Sequence, residues 1–505
     1  MQVSIFSTES DSRSTLLALR LHYSSFSFLR VFVAMFFLVF GDSPLSEAED
    51  WPWFLGPRHT GISGETDLDL DWSENKPPLL WKQQVGTGYS APSVLGDRLV
   101  VHHRKKRVEI VSCRSLTDGQ EIWRYAYTSD FSDPYGYNNG PRCSPILDAG
   151  QCITLGAEGM LTCLNFDDGQ LVWQHDLRKK FELPEWFFGV GCSPILDGDR
   201  VIVLVGGQPD SGVVAFNRHD GRVEWQAGGR STWDGEVDAN SSEPHKWTGS
   251  EMVVSYSSPI IATIHARRHL LCLMRQGLLS LDPQTGAENF HYWFRPRVHE
   301  SVNAARPVVI EDQILLSAAY KAGSALIKVN ADGKSYQEVW RNKRNLLAHW
   351  STPIHTDGFV YGFSGRHENE GELRCIRLSD GEVMWKSSGF SGNLEDFTRD
   401  PETRRIIDVR TREFVPFPYY GRGSLVLVGD RFVVLGERGT LAIVVVDPES
   451  FQERGRFSMP EIHYPAWAAP VISGGKLFLR SEDWLICLDL QNGLKRAVSQ
   501  RFVTD

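Results

Sequence analysis

The sequence predicts an all-β protein, a β-propeller of eight four-stranded antiparallel blades closed by an N-terminal strand. Three observations predict it. A phrase of about 50 residues recurs along the chain, the size of one repeat unit. Each copy holds four short apolar runs separated by Gly/Asp turns, the pattern of hairpin-linked strands. The last copy lacks a strand that a solitary run near the start can supply.

Each phrase opens on small-x-Pro, at Pro92, Pro145, Pro194, Pro259, Pro307, Pro353 and Pro470, with a degenerate copy starting at Ser424-Leu425. It closes on Asp-Gly-x-x-x-Trp: Asp118-Gly119 with Trp123, Asp168-Gly169 with Trp173, Asp220-Gly221 with Trp225, and Asp380-Gly381 with Trp385. Gly286 with Phe290 and Asp332-Gly333 with Trp340 are looser copies. A lone blade exposes two apolar faces, and only radial stacking of neighbours buries them. The Asp-Gly turn supplies a positive φ. The aromatic that follows it, and Trp81 of the solitary run, is expected to dock on the next blade.

Closure follows from the chain ends. Residues 469–490 supply three strands, while 79–85 (LLWKQQV) have the pattern of an outer strand with no phrase before them. Pairing the two removes exposed sheet edges. The expected organisation is a leader (1–48), an N-terminal arm (49–78), the propeller (79–492) and a C-terminal tail (493–505). In the leader, an apolar run at 31–40 follows Arg13, Arg20 and Arg30 and precedes Gly41, Pro44 and the small-x-small Ser46-Glu47-Ala48. That is a signal-peptide pattern and predicts export to the periplasm or cell envelope. The alternative is an uncleaved membrane anchor, although Arg30 interrupts the run and leaves it short of a ~20-residue span. No Cys precedes Cys113, so a lipid-modified N-terminal cysteine is not expected.

The net charge of −10 carries no basic stripe with interleaved aromatics, which excludes nucleic acid as the expected partner. The one basic cluster, Arg104-Lys105-Lys106-Arg107, reads as a solvated hairpin. Cys163, Cys375 and Cys487 share a repeat position that Ala215 fills elsewhere, and Cys143 and Cys192 share another. With no CxxC pair, the eight cysteines read as reduced core thiols rather than metal ligands. Residues 86–91 (GTGYSA) match a dinucleotide fingerprint in letters only, because Pro92 and a strand follow instead of a helix. Asp67, Asp69 and Asp71 begin like a calcium loop, but Trp72 stands where Gly is needed and Pro78 where the bidentate Glu belongs. A loose surface cation site is the most they suggest.

The informative constellation lies just before each inner strand, where a propeller places residues around one mouth of its channel. It comprises Tyr89, Asn139, Arg142, Tyr256, Asn303, Arg306, His349, Trp350, Arg422, Tyr464 and Trp467. Such a ring can hold an anionic or ring-shaped ligand through Arg forks and stacking. Equally, Arg and Asn there can satisfy backbone groups around a water-filled channel. Two polar inserts should project from the same face. One, 228–251, carries Trp233, Asp234, Glu236, Asp238 and Trp247; the other, 391–418, carries Arg399, Arg404, Arg405, Arg410 and Arg412.

Over residues 79–490 the small-x-Pro opening and Asp-Gly-x-x-x-Trp close resemble the PQQ-like repeat of eight-bladed propellers. That superfamily includes quinoprotein dehydrogenases and the propeller scaffold of the outer-membrane β-barrel assembly machine. Residues 50–57 and 155–161 (LGAEGML) resemble an exported bacterial subfamily of it. The resemblance implies the fold; function does not transfer with it. In the dehydrogenases PQQ lies at this mouth, where Trp350 or Trp467 could stack on it. Their adjacent Cys-Cys pair is absent, and the ring segments contain no Asp or Glu for the calcium site or the catalytic base. The expectation is therefore no PQQ, no metal and no catalytic residue. The chain reads as an exported, monomeric scaffold binding a protein or polymer partner through one face. A glycan- or polyanion-binding propeller and a PQQ-type oxidoreductase are the alternatives.

Overall fold

A computed structural model describes residues 49–183, 188–230, 233, 253, 255–295, 301–390, 393–403, 405–415 and 418–491. The leader, most of the first insert, Arg404 and the tail lie outside the described residues. The chain divides into two units, Met1–Leu45, outside them, and Ser46–Asp505, which holds every element below.

Eight sheets are each built on four antiparallel strands, and a small three-stranded sheet stands apart from them. The first sheet runs Ser93–Leu95, Arg98–Lys105, Val108–Ser115, Glu121–Thr128. In the eighth, the solitary strand Leu79–Gln84 lies antiparallel to Trp484–Asp489, with Trp81 opposite Cys487 and Gln84 opposite Trp484. Lys476–Arg480 and Val471–Ser473 complete that sheet. The chain's first long strand therefore finishes its last sheet.

Burial explains the sequence pattern of each strand. Second and third strands are covered on both faces, so they read as continuous apolar runs; every residue of Arg200–Gly207 after Arg200 is buried. Outer strands face solvent on one side and alternate: in Glu121–Thr128 only Trp123 is fully buried. Apolar clusters join consecutive sheets. Val100, Val111 and Trp123 of the first meet Leu147, Cys152 and Leu164 of the second. Another cluster gathers Val433 and Ile443 of the seventh, Phe478 and Ile486 of the eighth, and Leu99 and Val101 of the first. The eighth sheet thus packs on both the seventh and the first.

The docking aromatics act as expected, with a second reason for the glycine. Indole N–H groups donate across to the next sheet: Trp81 to Leu116 O (3.0 Å), Trp123 to Phe166 O (2.8 Å), Trp173 to Arg218 O (2.8 Å). Trp225, Trp340 and Trp385 do the same to Pro283, Leu378 and Asp447. Phe290, which has no donor, instead meets the Tyr336 ring at 5.4 Å. Gly119 and Gly169 have φ of 71° and 73°, and a Cβ there would stand 2.7 and 2.5 Å from the Trp81 and Trp123 rings. Turn geometry and ring contact both demand glycine.

Around the channel, the hydroxyls of Ser193, Ser258 and Thr352, each just before an opening proline, link neighbouring sheets. Ser144 N donates to Ser193 Oγ (3.0 Å), Ser193 N to Ser258 Oγ (2.9 Å) and Arg306 N to Thr352 Oγ1 (3.1 Å). The small-x-Pro phrase is thus a joint between blades as well as a strand start. All eight cysteines are free and buried. The N-terminal arm crosses to the inner strands: Trp51 bridges Val94, and Ile62–Ser63 adds a parallel fifth strand to the seventh sheet.

The basic hairpin corrects the sequence reading in one respect. Lys105, Lys106 and Arg107 are exposed, but Arg104 is 4% exposed. Its guanidinium donates to the carbonyls of Lys106, Phe131, Asn139 and Ser129 at 2.7–2.9 Å. Its length and five donors suit it to gathering carbonyls of an irregular loop, and it fixes the 129–139 segment beside the channel mouth.

Candidate functional site

A cavity of about 330 Å³ occupies the channel mouth, within the size range of small-ligand sites. Seven of the eleven ring residues line it: Tyr89, Arg142, Tyr256, His349, Trp350, Arg422 and Trp467. Asn139, Asn303, Arg306 and Tyr464 are not in its lining. Phe54 and Leu55 of the N-terminal arm also line it, and Trp51 and Arg306 tie that arm to the inner strands.

Three groups of lining residues were not found from the sequence. Asp133, Tyr135 and Tyr137 come from the loop after the first sheet's outer strand, and Phe188 from the loop after the second's. Tyr320, Arg366 and His367 come from turns between second and third strands. In an up-and-down blade those turns return to the same face as the blade-to-blade loops, a parity the strand order alone reveals.

Aromatic contacts run continuously along the wall. Tyr320 meets His349 (5.6 Å), His349 meets Trp350 (5.2 Å), Trp350 meets Trp467 (5.0 Å) and Trp467 meets Tyr137 (5.8 Å). Tyr137 then touches Phe188 (6.1 Å), which touches Tyr256 (5.7 Å). The His349 pKa is lowered to about 3 by burial, then by the charges of Arg422 and Arg366. Its imidazole is neutral at physiological pH. Burial raises the Tyr89 and Tyr256 phenols, so both stay protonated.

The mouth does contain carboxylates, which the ring segments alone did not show. Glu437, from the turn after Arg431–Gly436, is fully buried and accepts from Arg422 Nη2 (2.7 Å), the Arg422 backbone N–H (2.7 Å) and Trp467 Nε1 (3.1 Å). The Arg422 guanidinium lies over Trp350 at 4.7 Å and Trp467 at 5.2 Å. Asp133 accepts from Arg142 Nη2 at 3.0 Å, and that nitrogen also donates to Asn138 O.

Arg306, Asn303 and Asn139 of the ring are tied to backbone. Arg306 is 2% exposed and donates to Pro259 O (3.0 Å) and to Phe54 O and His59 O of the arm (both 3.4 Å). Burial lowers its pKa to about 9, and among the described residues no carboxylate pairs with it. Asn303 donates to Met274 O and Phe294 O, and Asn139 Oδ1 accepts from Asp133 N. Arg142, Arg306 and Arg422 therefore do not project freely into solvent. Changing all three to Gln, which a solvent-facing ring would tolerate, would here strip ties from three loops. Of the second insert, Phe397–Arg399, Ile406–Asp408 and Phe414–Val415 form the separate three-stranded sheet. Arg405 lies over Phe414 and Arg410 beside Asp396 and Asp408. In the first insert, Trp233 alone of the singled-out residues is described; it meets His291 at 4.9 Å.

The residues present do not fit a calcium-bound quinone. Asp133 and Glu437 are each held by a guanidinium group, Glu482 is taken up by Thr87 and Asn138, and no two cysteines are adjacent to cap a ring. Among the described residues no group of three or more His, Cys, Asp or Glu is arranged to hold a metal.

The sequence model of the family described as outer membrane protein assembly factor BamB matches residues 107–387, more than half of the chain. No curated protein sequence matches it. Among solved structures, BamB from Moraxella catarrhalis is similar at 14% identity and TM-score 0.52, over 83% of this chain and 98% of that one. Quinohemoprotein alcohol dehydrogenase from Comamonas testosteroni is similar at 12% identity and TM-score 0.51, over 88% and 81%. A quinohemoprotein alcohol dehydrogenase from Pseudomonas putida HK5 is similar at 11% identity and TM-score 0.54, over 88% and 80%. At such identities the likeness is one of fold, a β-propeller.

Proposed function

The chain belongs to the family described as outer membrane protein assembly factor BamB, and on that premise we propose that it is an exported, non-catalytic scaffold whose cavity-bearing face docks a protein partner of the cell envelope. One observation carries the reading. Of the four exposed aromatic side chains among the described residues, Tyr135, Tyr137 and Tyr464 stand at the cavity mouth, 44%, 51% and 39% exposed. Tyr135 and Tyr137 line the cavity and contact Phe188; Tyr464 meets Trp467 at 6.0 Å. Tyrosine offers large, rigid area with a polar tip and is enriched where interfaces concentrate their energy.

A triple change of Tyr135, Tyr137 and Tyr464 to Ser tests this. Recovery of the envelope protein that co-purifies with the chain should fall by about tenfold or more, equivalent to ~1.4 kcal/mol. The melting temperature should hold, because these rings are solvent-facing. Loss of the complex on changing the outer-strand residues Val172 and Val383 to Ser instead would place docking on the blade edges and refute the reading.

A further inference from the structure

The cavity has a chemistry of its own, and its assignment stands whether or not a protein docks at the rim. We propose that it binds one six-membered sugar ring bearing a carboxylate, a uronic acid unit, either free or at the end of an acidic glycan.

The first observation is a surplus of buried polar atoms without partners. Tyr89 OH, Trp350 Nε1 and His349 Nδ1 are buried without a hydrogen-bond partner, and all three residues line the cavity. The indole N–H can only donate. Ser258 and Thr352, also in the lining, already accept a backbone N–H at their hydroxyl oxygens, which leaves their protons free to be donated. Buried polar groups require partners, and this set calls for a ligand rich in acceptor oxygens.

The second observation is one cation of the cavity lining without a counter-charge. Arg142 and Arg422 hold Asp133 and Glu437. Arg366 lies 4.3 Å over the Tyr320 ring, with no carboxylate in ion-pair reach among the described residues. A guanidinium over an aromatic face keeps N–H groups available as a fork for a carboxylate.

The third is the shape of the wall. Neighbouring lining rings meet at 30–81°, and none stacks flat on another. A curved aromatic wall suits the C–H faces of a puckered ring, whereas a flat fused ring gains most from parallel faces.

Titration of the full chain with galacturonic acid, galactose and 2-naphthoate, followed by tryptophan fluorescence and calorimetry, tests the proposal. Galacturonate should bind about tenfold tighter than either of the others. Arg366→Gln should bring galacturonate to the affinity of galactose while leaving galactose unchanged. Tyr89→Phe should weaken both sugars by about fivefold without lowering the melting temperature, because its hydroxyl has no partner to lose. A merely structural Tyr89 would instead lose stability and keep its affinity. Naphthoate binding as tightly as galacturonate, no saturation by either sugar below ~10 mM, or an unchanged acid-to-neutral ratio in Arg366→Gln would overturn it. Survival of partner docking in that case would leave the scaffold reading standing.

Discussion

Deletion of residues 79–84 is expected to abolish cooperative unfolding. The segment is the fourth strand of the eighth sheet, and its Trp81 is 7% exposed between the eighth and first sheets. Loss of one such buried indole costs about 3–5 kcal/mol. Its removal also opens the edge of Trp484–Asp489 and uncovers part of the cluster joining the eighth sheet to the first. Together these losses compare with a typical total stability of about 5–15 kcal/mol. Circular dichroism on heating should show a broad, early transition, and gel filtration should show association through the open edge. A sharp transition within a few degrees of the wild type would mean that the strand is dispensable.

Replacement of Glu437 by Gln is expected to cost about 3–5 kcal/mol, the penalty for stranding one partner of a buried ion pair. Glu437 is fully buried and receives Arg422 and the Trp467 indole, so the change leaves a guanidinium lying over Trp350 and Trp467 without its anion. Adding Arg422→Met should recover part of the loss, because removing both charges also removes the stranded one. Chemical denaturation of the two single variants and the double measures this. A loss under ~1 kcal/mol for Glu437→Gln would match a solvent-screened pair and contradict the burial of this one.

The fold was legible because its information is local and repeated. The small-x-Pro start, the Asp-Gly turn and the outer-strand Trp recur with enough copies to identify one another, and the unmatched strands at 79–84 and 484–489 could only pair together. The candidate site was legible in part. The blade-to-blade loops sit beside a visible signal, the proline, and seven of the residues chosen there converge on the cavity. Glu437, Arg366 and Tyr320 lie in turns with no such punctuation, and only the strand parity brings them to that face. In sequence Arg104 looks like a surface charge, and Arg306 like one more residue of the channel-mouth ring. Their burial depends on loop and arm carbonyls distant in the chain, such as Asn139 O for Arg104 and Phe54 O for Arg306, which no local pattern announces.

Docking of a partner on the cavity-bearing face can be read out by site-specific photocrosslinking. A photoreactive residue placed at position 137 at the mouth, and in a separate variant at position 172 on an outer strand, should be irradiated in intact cells of the source organism. Docking at the mouth should give a discrete crosslinked envelope protein from position 137 and none from 172. Crosslinks from 172 alone would contradict it.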